Sequence, residues 1–213
     1  MYTDAVLSNP NAVKIEPFIF YDIFDKCLYM PWATNLLPHE IEENKKELMA
    51  HHDTDPCIYW IGTVGSKKYG NINELSPFIK ACTENHIDFV QRCGVDTKEN
   101  IRLIKQSYLA PAIVGAWQKE KGYIPCRIFK NISYGKMGVT NSLRVWELFE
   151  KKIVFCENTY QLFYDAENVS RTASNEEMHW LMDFVMEKHT YINRIETLLD
   201  FCQLIKRTYG QQI

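Results

Sequence analysis

From Ala173 to Tyr209 the chain contains neither glycine nor proline, and Ser174 followed by Glu177 has the spacing of a helix capping box. Written as heptads, one position holds Met178, Val185, Ile192, Leu199 and Lys206, and its companion holds Leu181, Lys188, Ile195, Cys202 and Tyr209. Only the two lysines break the apolar stripe, which keeps a 3.5-residue spacing. One continuous helix of this length would reach about 50 Å, more than the width of a small domain. The pattern therefore predicts either a bend or break near His189-Thr190-Tyr191, making a hairpin, or a helix that projects and needs a partner. Met178, Leu181, Val185, Ile192, Ile195, Leu199 and Cys202 are the expected interface, with a second copy or another protein as the partner.

The rest of the 213 residues must supply a core for that segment. With 46% hydrophobic residues, Phe 11, Tyr 12 and Trp 5, the chain buries enough to form one globular domain. We expect an N-terminal arm over 1–12, an α+β core over 13–172 and the helical segment over 173–213. Val13 to Tyr21 reads as an edge strand or two short strands, because Pro17 interrupts it. Asp22 to Asn35 fits a short helix or irregular structure. Pro38 opens a charged helix that runs to about His52, and Cys57 to Val64, β-branched and aromatic, is the clearest strand. Ser76-Pro77 and Gly94 punctuate a helix over 77–93, with Phe78, Cys82, Phe89 and Cys93 as its stripe. Asp96 with Glu99 caps the next helix, which Pro111 kinks and Gly122 stops. Tyr123 to Ile132 then reads as strand, Gly135 to Gly138 as a turn, the stretch after Thr140 or Asn141 as a helix to about Lys152, and Ile153 to Tyr164 as strand. The sum is an α-rich α+β single domain with a small sheet. It does not read as doubly wound, for no regular strand–helix alternation is visible.

Charge and cysteine usage narrow the function classes. A net charge of -3 with dispersed Lys and Arg argues against a protein held mainly by phosphate backbones, so nucleic acid is an unlikely partner. The longest uncharged apolar stretches, Pro17 to Tyr21 and Ala110 to Trp117, are far short of the ~20 residues of a membrane span, so no membrane partner is expected. No charged start or apolar block of a secretory signal opens the chain. The 7 cysteines are odd in number and include no C-x-x-C pair, which reads as reduced thiols. A cytoplasmic location follows, or the interior of a virus particle, since the bias toward Ile, Lys, Asn, Tyr and Phe is that of an AT-rich genome.

Several short constellations have chemical potential. Gly135-Lys136-Met137-Gly138, read between a strand and a helix, offers backbone N–H groups, Lys136 and the Thr140 hydroxyl to a phosphate. Gly135, Lys136, Gly138 and Thr140 are the candidate ligand-binding residues. His51-His52-Asp53-x-Asp55, with His39, Glu40, Glu42 and Glu43 if the helix folds back, could ligate a metal but reads more simply as a polar loop. Glu176-x-x-His179 has the spacing of bundle carboxylate sites without the required second copy. Glu157 and Asp165 would lie some 26 Å apart on one strand, too far for joint glycosidic chemistry. Tyr123, Arg127, Phe129 and Lys130 could stack single-stranded bases, though a mixed strand explains them too. Catalytic residues stay unassigned, and no metal or cofactor is expected.

The sequence therefore supports an assembly subunit first, non-enzymatic and homo-oligomeric, of the kind found in viral or phage particles. The alternative is a small transferase-like enzyme that binds a phosphorylated ligand at Gly135 to Thr140, with His51 or His86 as acid or base. Single-stranded nucleic-acid binding is the third reading.

Overall fold

A computed structural model describes residues 10–16, 18–48, 56–65 and 70–210. The protein is a mixed α+β single domain, 53% helical with small sheets. The arm expected over 1–12 lies almost wholly outside the described residues. A three-stranded antiparallel meander leads, β1 (Val13–Glu16), β2 (Ile19–Asp22) and β3 (Cys27–Tyr29). The stretch after Asp22 thus holds a strand, not a helix. Helix α1 (Pro38–Glu47) follows, its entry fixed by the Glu40 carboxylate, which accepts from Leu37 N at 2.7 Å.

Next comes β4 (Cys57–Ile61), as its composition predicts, and then α2 (Ile72–Glu84). This helix starts at Asn71 rather than Ser76 and ends before Asn85, so the expected 77–93 helix is corrected at both ends. Leu75, Phe78, Ala81 and Cys82 bury one face, and Pro77 sits inside the helix. Beyond it His86 takes a left-handed φ of 58°, which turns the chain into β5 (Asp88–Arg92). Phe89 therefore belongs to a strand, where it packs on Trp60 at 6.1 Å.

Asp96 caps α3 (Thr97–Gln106) by accepting from Glu99 N at 2.8 Å, but Glu99 spends its own carboxylate on Arg102 instead of closing the box. The helix stops at Ser107, far before Gly122. Pro111 does not kink it; it lies in β6 (Pro111–Ala112), an edge position of the third sheet, where a missing N–H is tolerated. A short α4 (Ala116–Glu120) precedes α5 (Cys126–Ser133), so the strand expected over 123–132 is a helix. Ile128, Phe129 and Ile132 give it a buried face at helical spacing.

The sequence continues through β7 (Val139–Thr140), α6 (Leu143–Leu148), β8 (Val154–Phe155) and α7 (Thr159–Thr172). Strand structure after Ile153 thus ends at Phe155, because Asn158 caps a helix by accepting from Tyr160 N and Gln161 N. The Ser174–Glu177 box forms as expected and starts α8 (Asn175–Lys188). The long C-terminal run breaks at His189-Thr190. Thr190 caps α9 (Tyr191–Tyr209) in a second box with Asn193.

Among the described residues, five of the eight strands run parallel, β4 with β5 and β6 with β7 and β8. The two parallel sheets touch where Tyr108 N donates to Cys57 O at 2.8 Å, which lays the approach to β6 beside β4. The two remain separate sheets, ordered β4-β5 and β6-β7-β8, with β4 and β6 each at an edge. Strand–helix alternation is therefore present, but in strands of two to five residues that leave little periodic trace. The helices fall into two packed groups. Helix α2 packs on α7, while α8 packs on α5 and α1. One continuous hydrophobic cluster joins these layers, and α8 supplies Met178, Leu181, Met182, Phe184 and Val185 to it. Among the described residues, no helix is long and apolar enough to cross a membrane.

Candidate functional site

The carboxyl ends of β4, β6 and β7 are tied together. Asn141, just past β7, accepts from Val114 N at 2.9 Å and donates to Val114 O at 3.0 Å. Its Nδ2 also donates to Glu74 Oε2 at 3.4 Å, and Glu74 pairs with Lys119 at 3.3 Å. Loops that leave three parallel strands thus meet in one place. Ligands of open parallel sheets bind in crevices of this kind.

Between β4, the edge of β6 and α5 lies a cavity of about 180 Å³. Tyr59, Ile61, Asn100, Ser107, Arg127 and Lys130 line it. Arg127 and Lys130 stand three apart on α5 and so share a face. Arg127 donates from Nη2 to Ile61 O at 2.6 Å, and its guanidinium stacks 3.7 Å over the Trp60 ring. Burial lowers its pKa to about 10, and the charged groups that act on it include no carboxylate. Lys130 is also held below the usual lysine range, first by burial and then by the Arg127 charge. Asn100 Oδ1 is buried in the same wall without a hydrogen-bond partner. Two partly buried cations with no carboxylate partner among the described residues favour an anion between them. The first turn of α5 adds its positive dipole end, for Pro125 caps it without a side-chain bond.

A second cavity, about 440 Å³, opens at the ends of β7 and β8 beside Asn141, Ser142, Arg144 and Glu157. Arg144 Nε is buried there without a partner, and its guanidinium lies 5.0 Å from the Phe18 ring centre. Glu120 and Glu147 share this lining, so its charge is mixed.

The four candidate ligand residues sit elsewhere in the fold than their sequence context suggests. Gly135 to Gly138 follows a helix and precedes a strand, so no helix N-terminus faces it. Gly135, at φ 76°, ends α5: its N–H donates to Ile132 O, and Lys136 N donates to Asn131 O. Lys136 Nζ donates to Ser107 O at 2.6 Å, and burial lowers its pKa to about 8. Gly138 O accepts from Val154 N, starting the β7–β8 pairing. Thr140 is fully buried, donates to Ala112 O and accepts from Ser142 N. Lys136 nonetheless reaches Ser107, a wall of the Arg127–Lys130 cavity.

His86 lies at the amino end of β5. His51, His52, Asp53 and Asp55 fall outside the described residues. His39, Glu40, Glu42 and Glu43 lie in the first turns of α1, and Glu176 and His179 in those of α8. Among the described residues, no group of three or more His, Cys, Asp or Glu is placed to hold a metal ion. Glu157 precedes α7 and Asp165 lies within it, bonded by Gln161 at 2.9 Å, so the single strand assumed for their spacing does not exist. Tyr123 precedes α5 and Arg127, Phe129 and Lys130 lie on it, with Phe129 in the core. The signal that finds the cavity is Arg127-x-x-Lys130 read at helical rather than strand spacing.

The expected interface divides. Met178, Leu181 and Val185 are buried in the protein's own core, whereas Ile192, Ile195, Leu199 and Cys202 are exposed on α9. Comparison with known proteins returns no match among family models, curated proteins or solved structures.

Proposed function

We propose that the chain binds a phosphorylated small molecule between β4 and β6, as the donor site of a transferase-type enzyme. The observation that carries this reading is the pairing of Arg127 with Lys130, two partly buried cations on one helix face without a carboxylate neighbour among the described residues. A cavity of about 180 Å³ is several times the ~30 Å³ share of one water and smaller than a whole-ligand site. It suits a phosphate or diphosphate whose remainder lies outside in the crevice. Charge-assisted bonds from Arg127 and Lys130 would hold the phosphate oxygens.

Calorimetric titration with inorganic pyrophosphate and with a nucleoside diphosphate tests the reading. Binding that Lys130→Gln weakens about tenfold, the loss of ~1.4 kcal/mol, agrees with it. Lys136→Gln should leave affinity within about twofold, since the Lys136 ammonium is committed to Ser107 O. No heat from either probe, or a loss confined to Lys136→Gln, contradicts it.

Assembly through α9 is a second reading. The exposed Ile192, Ile195, Leu198 and Leu199 favour it, as a contiguous apolar surface of this kind marks contact sites.

A further inference from the structure

Helix α9 is fastened to the body along one face. Near its start, Arg194 is only 4% exposed and donates to Pro31 O and Lys188 O at 2.9 and 3.0 Å. Near its end, Phe201 packs on Tyr21 at 5.6 Å and Tyr209 Oη donates to Ile23 O at 2.9 Å. The helix is therefore held rigid while its opposite face stays open. That face carries Ile195, 56% exposed, and Leu199, 55% exposed, together with Ile192, Leu198 and Cys202. Ile192, Ile195, Leu199 and Cys202 follow the alternating three- and four-residue steps of a two-helix seam.

The charges along the same helix are polarised. Glu196 and Asp200 lie in its first half and Lys206 and Arg207 in its last turn, none of them in an ion pair among the described residues. A parallel pair of such helices would set acid beside acid and base beside base. An antiparallel pair reverses one of them and brings Glu196 toward the partner's basic last turn, which makes the surface complementary to itself.

We propose that two copies of this chain pair antiparallel through α9 about a two-fold axis between Asp200 and Phe201. The inference rests on the assembly reading and names its partner. In this register Leu199 meets the partner's Cys202, and Ile195 meets the alkyl stem of the partner's Lys206. Glu196 then lies beside the partner's Lys206. The two Cys202 residues are offset by ~4.5 Å along the axis, across an interhelical distance of about 8–10 Å.

Light scattering of the full chain at up to roughly 0.1 mM should give twice the 25.1 kDa protomer mass. The double variant I195E/L199E should be monomeric and keep the native far-ultraviolet circular dichroism spectrum, because both side chains are exposed on the single protomer. A bismaleimide of about 10 Å reach should link wild-type dimers and fail on Cys202→Ser, although Cys27, Cys93 and Cys126 are also exposed. Glu196→Lys should weaken the dimer at least fivefold and Lys206→Glu in the same chain should restore it. A wild-type monomer overturns both the pairing and self-assembly. A dimer indifferent to I195E/L199E overturns the α9 pairing and leaves assembly through another surface standing. Cross-linking that survives Cys202→Ser, or charge reversal without restoration, overturns the antiparallel register.

Discussion

Gly115 and Gly70 meet back to back: a Cβ placed on Gly115 would lie 2.1 Å from the carbonyl oxygen of Gly70. Gly115 follows β6 and Gly70 follows β4, so this contact brings together the carboxyl ends of two strands that share no ladder there. The φ of Gly115 is -70°, a value open to any residue. Space, and not backbone freedom, makes glycine necessary.

Gly115→Ala should therefore cost about 1–3 kcal/mol, the range for forcing atoms into a packed site, measured by urea denaturation. Unchanged stability would mean that the two loops are not held together.

Lys136 gives a pH-dependent prediction. Its folded pKa, lowered to about 8 by burial, lies below the ordinary 10.5, so the unfolded chain binds more protons between these values. Stability of the wild type, measured relative to Lys136→Met, should rise as pH increases from 8 toward 10.5, and the difference should be flat below 8. A difference that falls over this interval reverses the sign and contradicts the buried charge.

His189 predicts the acid limb. Burial first, then the charges of Arg194 and Lys188, lower its pKa to about 3 from 6.5. Its contribution is complete above pH 6.5 and is lost as the pH falls toward 3, while the unfolded chain takes up the proton. His189→Gln should flatten the stability loss over this window in denaturation series at successive pH values. An equally steep loss would assign the acid limb to other groups.

Arg194 joins the α8–α9 break to the N-terminal half of the chain. It donates to Pro31 O, Trp32 O and Lys188 O and sits 2.8 Å from His189 Nδ1, while Thr34 N donates to His189 O. Arg194→Met leaves these buried acceptors unpaired and should cost about 3 kcal/mol or more in chemical denaturation. A loss below ~0.5 kcal/mol would show that water replaces the guanidinium at little cost.

Local chemistry that acts over three or four residues is legible in the sequence. Ser174 with Glu177, the Asp96 cap and the β-branched run from Cys57 form where residue types alone place them, and the break at His189-Thr190 is one of the two outcomes they allow. Elements decided by long-range pairing are not. Phe89 reads as the apolar position of a helix until β4 recruits it as a strand residue, and Pro111 reads as a kink until the edge of a parallel sheet takes it. Ile128, Phe129 and Ile132 carry the helical period of α5, but the flanking β-branched and aromatic residues hide it. The site shares this fate. Arg127 and Lys130 become neighbours only once their segment is a helix, and the approach of β6 to β4 beside their cavity depends on residues some fifty positions apart, Cys57 and Tyr108. The heptad stripe is legible throughout, yet packing spends its first half on the core and leaves its second half open.

The most direct test of the proposed ligand site is a crystal structure with tungstate, a heavy phosphate analogue located by its anomalous signal. The account predicts one tungstate within about 3 Å of both the Arg127 guanidinium and the Lys130 ammonium, in the cavity between β4 and β6. A tungstate at the Gly135–Thr140 turn or in the Arg144 cavity, or none at all, would contradict it.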